Sequence, residues 1–158
     1  MRVCRLNAKT FKDAHPISWI AESLETLHGA KWFCSLDLQC CFLQVGVYEA
    51  DKVKTAVITP FRLFEINRMP FGLTNALATF QRLMKWCLSE LNLKICLVYL
   101  DEVIVSGSTF KEILERLQTV LKRLSDFGLK LKASKCKFFY IELPYLGRVV
   151  SSLGVFLT

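Results

Sequence analysis

The run at residues 95–106, ICLVYLDEVIVS, constrains the fold more than any other stretch. It is the most apolar segment of the chain, and two acidic residues, Asp101 and Glu102, sit side by side at its centre. Asp and Glu are depleted in strands and are almost never fully buried unless paired. The run therefore reads as two strands, ICLVYL and VIVS, joined by a turn that holds the acidic pair. Successive residues of a regular strand point to opposite faces, so both carboxylates serve one site only where the chain bends. The expectation is a hairpin with both acids at its tip, beside whatever the neighbouring strand presents.

The neighbouring candidate is Asp37 in FCSLDLQ, again an acid that ends an apolar strand. Three carboxylates brought together repel strongly unless a cation sits among them, and oxygen ligands of this kind suit Mg²⁺. In a two-metal phosphoryl-transfer site, one ion activates an attacking hydroxyl and the other neutralises the leaving phosphate. From spacing alone, solvated turn residues and a strand-end cap are the favoured reading.

Elsewhere the elements alternate in type. Residues 16–28 place Ile17, Ile20, Ala21, Leu24 and Leu27 at helical spacing, with Pro16 early and Gly29 beyond the end. Residues 31–38 read as a strand, and residues 53–59 and 61–66 as a strand pair around Pro60. A second helix is expected over 75–91, where Phe80, Leu83, Met84, Cys87, Leu88 and Leu91 keep the 3.6 period. Thr109 and Glu112 form a candidate capping box for a third helix, which ends at Gly128. Short strands at 136–141 and 145–150 follow. This order predicts an α+β domain, an antiparallel sheet backed by helices.

At 158 residues, with 53% hydrophobic and 22% charged residues, the composition is that of one globular domain, without repeats, low-complexity tracts or linkers. No apolar stretch approaches the roughly 18–20 residues of a membrane span, and the N-terminus has no signal-peptide core. The expectation is a soluble intracellular protein, cytoplasmic or nuclear, with no membrane partner. The seven cysteines show no C-x-x-C spacing, which argues against zinc or a disulfide framework. A net charge of +7 suggests an anionic partner such as nucleic acid.

The blocks VCRLNAKTFKDAHPI, AKWFCSLDLQCCFLQVGV, KTAVIT, MPFGLTNALATFQRLM, VYLDEVIVSGST, SKCKF and YLGRVVS occur in that order over nearly the whole chain. In order and in wording they resemble the motifs of reverse transcriptases from gypsy-type LTR retrotransposons and retroviruses. The resemblance implies the ferredoxin-like palm of a right-hand polymerase with part of its fingers, within one domain fragment spanning 1–158. The fingers would take about 1–12 and 45–75, and the palm about 13–44 and 76–150. It implies template-directed addition of deoxynucleotides to a primer 3′-hydroxyl on RNA or DNA, with two Mg²⁺ or Mn²⁺ ions.

By the same resemblance, Asp37, Asp101 and Glu102 are the catalytic, metal-binding carboxylates, the last two within the Tyr-x-Asp-Asp turn that begins at Tyr99. Phe42, with Cys41 before it, matches the aromatic gate that packs under the sugar and rejects a 2′-hydroxyl; an ordinary core Phe is the alternative. Phe71 and Gly72 match the loop against the incoming nucleotide, where glycine lets backbone approach closely. Gln81 resembles a template-side contact or is a solvated helix residue. Tyr145, Leu146 and Gly147 resemble the primer-grip hairpin. Lys135 corresponds to the lysine near the leaving pyrophosphate or is an ordinary surface lysine.

The departures carry consequences of their own. Glu102 stands where the family has a second aspartate, and misplacing a catalytic group by about 1 Å can cost on the order of 100-fold in rate. Cys4 occupies the position of a triphosphate-clamping arginine, with Arg5 beside it and facing another way if the segment is a strand; a thiol cannot replace a bidentate guanidinium. Cys41 replaces a small residue, Leu77 replaces a proline, and Arg62 takes a turn position that favours a positive φ. The chain also stops about where a thumb would begin, so a truncated, impaired copy is expected. Two alternatives are a non-catalytic nucleic-acid-binding remnant and a ferredoxin-like RNA-recognition module. The latter needs an RNP1 pattern that is absent.

Overall fold

The computed structural model describes residues 4–13 and 27–157. The helix expected over 16–28 falls almost entirely outside the described residues. Its last two positions, Leu27 and His28, form a turn with Gly29, and Leu27 is buried.

At the centre lies a four-stranded antiparallel sheet. Strand β1 (Trp32–Asp37) occupies an inner position, because five of the six residues in WFCSLD are uncharged and four are fully buried. The short pair β2 (Val57–Ile58) and β3 (Leu63–Phe64) stands apart. Strands β4 (Cys96–Tyr99) and β5 (Glu102–Gly107) form the expected hairpin, and β6 (Lys137–Tyr140) closes the order β4-β5-β1-β6. A separate meander is built from β7 (Glu142–Tyr145), β8 (Arg148–Ser151) and β9 (Gly154–Leu157).

The two faces of the sheet bury different partners, as the period of two requires. Cys34 and Leu36 of β1, with Val103 and Val105 of β5, meet the helices α2 (Ala76–Cys87) and α3 (Phe110–Asp126), whose inward stripe includes Phe80, Met84, Cys87, Ile113, Leu117, Val120 and Leu124. Phe33, Leu97 and Ile104 point the other way and pack on Leu143, Tyr145 and Val150 of the meander. Asp37 and Glu102 belong to this second face, and both are half-buried.

Helix α3 begins and ends by side-chain and backbone capping. The Thr109 hydroxyl accepts from the Glu112 N–H at 3.2 Å, while the Glu112 carboxylate accepts from the Ser108 N–H at 2.7 Å. At the other end Gly128 takes φ 68; its N–H donates to Ser125 O, and the Leu129 N–H to Leu124 O, a Schellman closure sealed by two buried leucines. Helix α2 is shorter than its apolar period, because residues 88–91 leave the helix as a turn.

Three expectations are corrected. Cys4 and Arg5 lie in a short helix, α1 (Cys4–Ala8), and not in a strand. Residues 49–55, expected in part as strand, form a 3₁₀ turn held by the Thr55 hydroxyl, which donates to Lys52 O at 2.6 Å. Arg62 does not take a positive φ, so it carries no left-handed strain.

Candidate active site

Asp37 ends β1 half-buried, and its backbone is held from both sides. The Leu38 N–H donates to Asp101 O at 3.1 Å, while Asp37 O accepts from the Lys132 N–H at 2.8 Å and the Gln39 N–H donates to Lys130 O at 2.9 Å. The β4–β5 turn is thus bolted to one side of the strand end and residues 130–135 to the other. The Lys135 ammonium reaches Asp37 Oδ2 at 3.4 Å.

The hairpin turn is one residue earlier than the sequence suggests. Its two-residue loop is Leu100–Asp101, with Leu100 at φ 56 in the first position, where two-residue loops of this kind prefer glycine. Only Asp101 stands at the tip, exposed. Glu102 is already the first residue of β5, so the expectation of two acids at the tip is corrected to one.

The register gives Glu102 a different place. It pairs with Asp37 across β1 and β5 and with Tyr99 across β4 and β5. Because the Leu38 N–H bonds to Asp101 O, Asp37 and Glu102 form a non-hydrogen-bonded pair, the type in which opposing side chains lie closest. Yet the Glu102 carboxylate turns along the sheet. Its Oε1 accepts from the Ser35 hydroxyl at 2.7 Å.

Cys41 opens a 3₁₀ turn (Cys41–Gln44) directly after Cys40, which adopts φ 47. Burial is the largest cause pushing the Cys41 thiol up, followed by the charge of Asp101, with Cys40 and Asp37 adding smaller effects. Cys41 is itself a buried member of the core packed on the helices. Among the described residues no group of three or more His, Cys, Asp or Glu side chains forms a ready cation cage. The backbone joins the ends of β1 and the β4–β5 turn, which carry Asp37 and Asp101, and Mg²⁺ is commonly held by one or two carboxylates together with water and substrate oxygens.

Phe42, the residue after Cys41, gathers two further aromatic rings. Phe42 meets Phe71 edge-on at 5.5 Å between ring centroids and Phe80 at 5.9 Å. Phe80 is a core residue, whereas Phe71 is exposed, so Phe42 carries the core outward to the loop. Gly72 takes φ 89. Asn7 of α1 braces that loop, donating to Gly72 O at 2.7 Å and accepting from the Thr74 N–H at 2.9 Å. Arg5 is exposed on α1 and lines a groove with Leu6, Ala8, Lys9 and Lys54.

Gln81 is half-buried on α2, and Tyr99 half-buried against the meander core. Leu146 (φ 51) and Gly147 (φ 71) form the β7–β8 turn. Tyr145, expected at the primer, is 2% exposed, and its hydroxyl has no hydrogen-bond partner among the described residues. It supports the hairpin from below while Leu146 and Gly147 present its tip.

Sequence reasoning overlooked Ser35, Asn7 and Gln44. The Gln44 amide donates to Gln39 O at 2.5 Å and Lys130 O at 2.9 Å and accepts from the Lys130 N–H at 2.6 Å, closing residues 39–44 against the segment that carries Lys135. A serine within the apolar run of β1 was the available signal for Ser35, since a buried hydroxyl needs a partner.

Residues 4–150 match the family described as reverse transcriptase (RNA-dependent DNA polymerase). The retrovirus-related Pol polyprotein from transposon 297 of Drosophila melanogaster is 40% identical over 151 residues, which cover 96% of this chain and 14% of the relative. The corresponding polyprotein from transposon gypsy of the same organism is 37% identical over 150 residues, or 95% of this chain and 14% of the relative. An RNA-directed DNA polymerase homolog of Oenothera berteroana is 39% identical over 109 residues, covering 66% of this chain and 77% of the relative. The foamy viral protease-reverse transcriptase in complex with an RNA/DNA hybrid superposes with a TM-score of 0.87 at 22% identity, over 99% of this chain and 21% of that one. The same protein in complex with double-stranded DNA gives 0.86 at 23% identity, over 98% and 32%. Sequence and fold agree: this chain belongs to the reverse transcriptase (RNA-dependent DNA polymerase) family.

Proposed function

We propose that this domain adds deoxynucleotides to a primer 3′-hydroxyl on an RNA or DNA template, as the palm and part of the fingers of a retrotransposon polymerase. The observation that supports it is the junction of β1 with the β4–β5 turn, where the Leu38 N–H bonds to Asp101 O and joins the chain segments that carry Asp37 and Asp101. Those two carboxylates would hold Mg²⁺ or Mn²⁺. Bound there, such ions supply Lewis acidity toward the attacking hydroxyl and the leaving phosphate.

The chain's own residues do the rest of the work by position. Lys135, paired with Asp37, lies where an anionic leaving group gains from a cation. Phe42, wedged between Phe71 and Phe80, presents a rigid ring to the sugar of the incoming nucleotide. The positive φ of Gly72 brings backbone close to the nucleotide, with Asn7 fixing the loop. Gln81, Tyr99 and the Leu146–Gly147 tip are the contacts assigned to template and primer. The two solved relatives compared above carry nucleic-acid duplexes, which supports this class of partner.

The test is primer extension on an RNA template with Mg²⁺ or Mn²⁺, alongside circular dichroism of the same preparation. Incorporation by the parent chain that is lost in Asp101→Asn supports the reading. A folded protein that binds duplex with a steep salt dependence yet incorporates nothing identifies the non-catalytic alternative.

A further inference from the structure

Glu102 and Ser35 make a contact that no catalytic assignment uses. Glu102 lies opposite Asp37, and Ser35 lies two residues back along β1, opposite Ile104. Directly opposed side chains are close neighbours, but a diagonal partner is about 7–8 Å away between Cα atoms, within reach of a long side chain. Glu102 nevertheless bypasses its near neighbour and takes the Ser35 hydroxyl at 2.7 Å. Ser35 is only 4% exposed, so its hydroxyl depends on this partner to be satisfied in the described structure.

Side-chain length explains the choice. An aspartate at this position would stop about one C–C bond short of the hydroxyl, whereas the extra methylene of Glu102 lets the carboxylate lie down along the strand. Like-charge repulsion from Asp37 favours the same direction.

Resting on the active-site reading above, we infer that Glu102 is a positioning residue, anchored by Ser35, and that the metal-holding pair of this chain is Asp37 and Asp101 alone. Anchored in this way, Glu102 ties the first residue of β5 to the middle of β1. That tie fixes the turn carrying Asp101 against the strand carrying Asp37, and it removes one negative charge from direct competition for the ion.

Two independent measurements test this. The first is a urea double-mutant cycle with Ser35→Ala and Glu102→Ala, each also made as Ser35→Thr and Glu102→Gln, which keep a donor and an acceptor. Coupling of about tenfold in the unfolding constant is expected, with rescue by the conservative pair and none by Glu102→Asp. Coupling below twofold overturns the anchor. The second is Mn²⁺ affinity of the full chain, read from the free-ion electron paramagnetic resonance signal. Glu102→Gln is expected to stay within about twofold of the parent, while Asp37→Asn and Asp101→Asn each weaken binding more than about tenfold. Loss in Glu102→Gln as large as in Asp101→Asn overturns the proposal. A parent chain that binds no Mn²⁺ defeats the metal assignment of the proposed function, and a surviving Ser35–Glu102 coupling in that protein still supports the anchor.

Discussion

Gly107 ends β5 where the strand meets the first turn of α3, and its replacement by alanine isolates the packing of that junction. A Cβ placed there would lie 2.8 Å from Ile113 N and 3.0 Å from both Cα and Cβ of Ile113. Favourable carbon contacts begin at about 3.5 Å. Two of the three obstructing atoms are helix backbone, which cannot rotate aside, so helix or strand must shift. Gly107 is also buried, opposite Trp32 in the register, and its carbonyl accepts from the Lys31 N–H at 3.0 Å. Overpacking of this kind costs about 1–3 kcal/mol, and the upper half applies because backbone must move. Against it stands the reduced freedom of the unfolded chain, a gain of about 0.4–1 kcal/mol available because Gly107 does not use a positive φ. The clash wins, with a net loss of about 1–2 kcal/mol. With a urea slope of about 1–3 kcal/mol per molar, the midpoint of Gly107→Ala should fall by roughly 1 M, followed by tryptophan fluorescence. Gly46→Ala is the control, since no atom lies within 4 Å of its added methyl and its φ is not positive; it should unfold at or slightly above the parent midpoint. A Gly107→Ala midpoint no lower than that of Gly46→Ala refutes the packing argument.

Tyr145→Phe should stabilise the fold by about 1 kcal/mol in the same assay, because it removes a buried hydroxyl that has no partner among the described residues. Alkaline stability follows from the core thiols. Burial pushes Cys96 up to about 12 and Cys87 up to about 11, from an ordinary value of 9.0. The unfolded chain therefore loses these protons first, and stability is complete below pH 9 and falls as pH rises through 11 to 12. Cys96 alone accounts for roughly 2–3 kcal/mol at pH 11, and Cys96→Ala should flatten the urea-midpoint profile between pH 9 and 11. Gln44→Ala removes three hydrogen bonds, two of them to Lys130 and one to Gln39 O, so the Lys130 amide should exchange with solvent at least about tenfold faster, while Gln44→Glu should not restore the two donated bonds.

The apolar periods in this sequence carry the large elements well. Phe80, Met84 and Cys87 on α2, and Ile113, Leu117, Val120 and Leu124 on α3, are buried where the 3.6 period puts them. The hairpin around the acidic pair was legible for the same reason, since charge cannot continue through a buried strand. Its register was not. Composition cannot distinguish a loop of residues 101–102 from one of residues 100–101, because the second requires Leu100 to accept φ 56, which leucine resists by itself. The flanking pairs Tyr99–Glu102 and Val98–Val103 hold the turn in place.

The same one-residue difference decides the chemistry of the site. With the loop at residues 101–102, both acids would point into solvent at the tip and neither would have a fixed neighbour. With the loop at Leu100–Asp101, Asp101 stays at the tip and Glu102 enters the sheet, where the register places it opposite Asp37 and within reach of Ser35. The register thus sorts two adjacent acids into different roles, one exposed at the tip and the other held against β1. The contacts that complete the sorting join residues 67 positions apart for Ser35–Glu102 and 86 apart for Gln44–Lys130. No local pattern encodes such pairings, because each depends on which strands become neighbours after the core has formed.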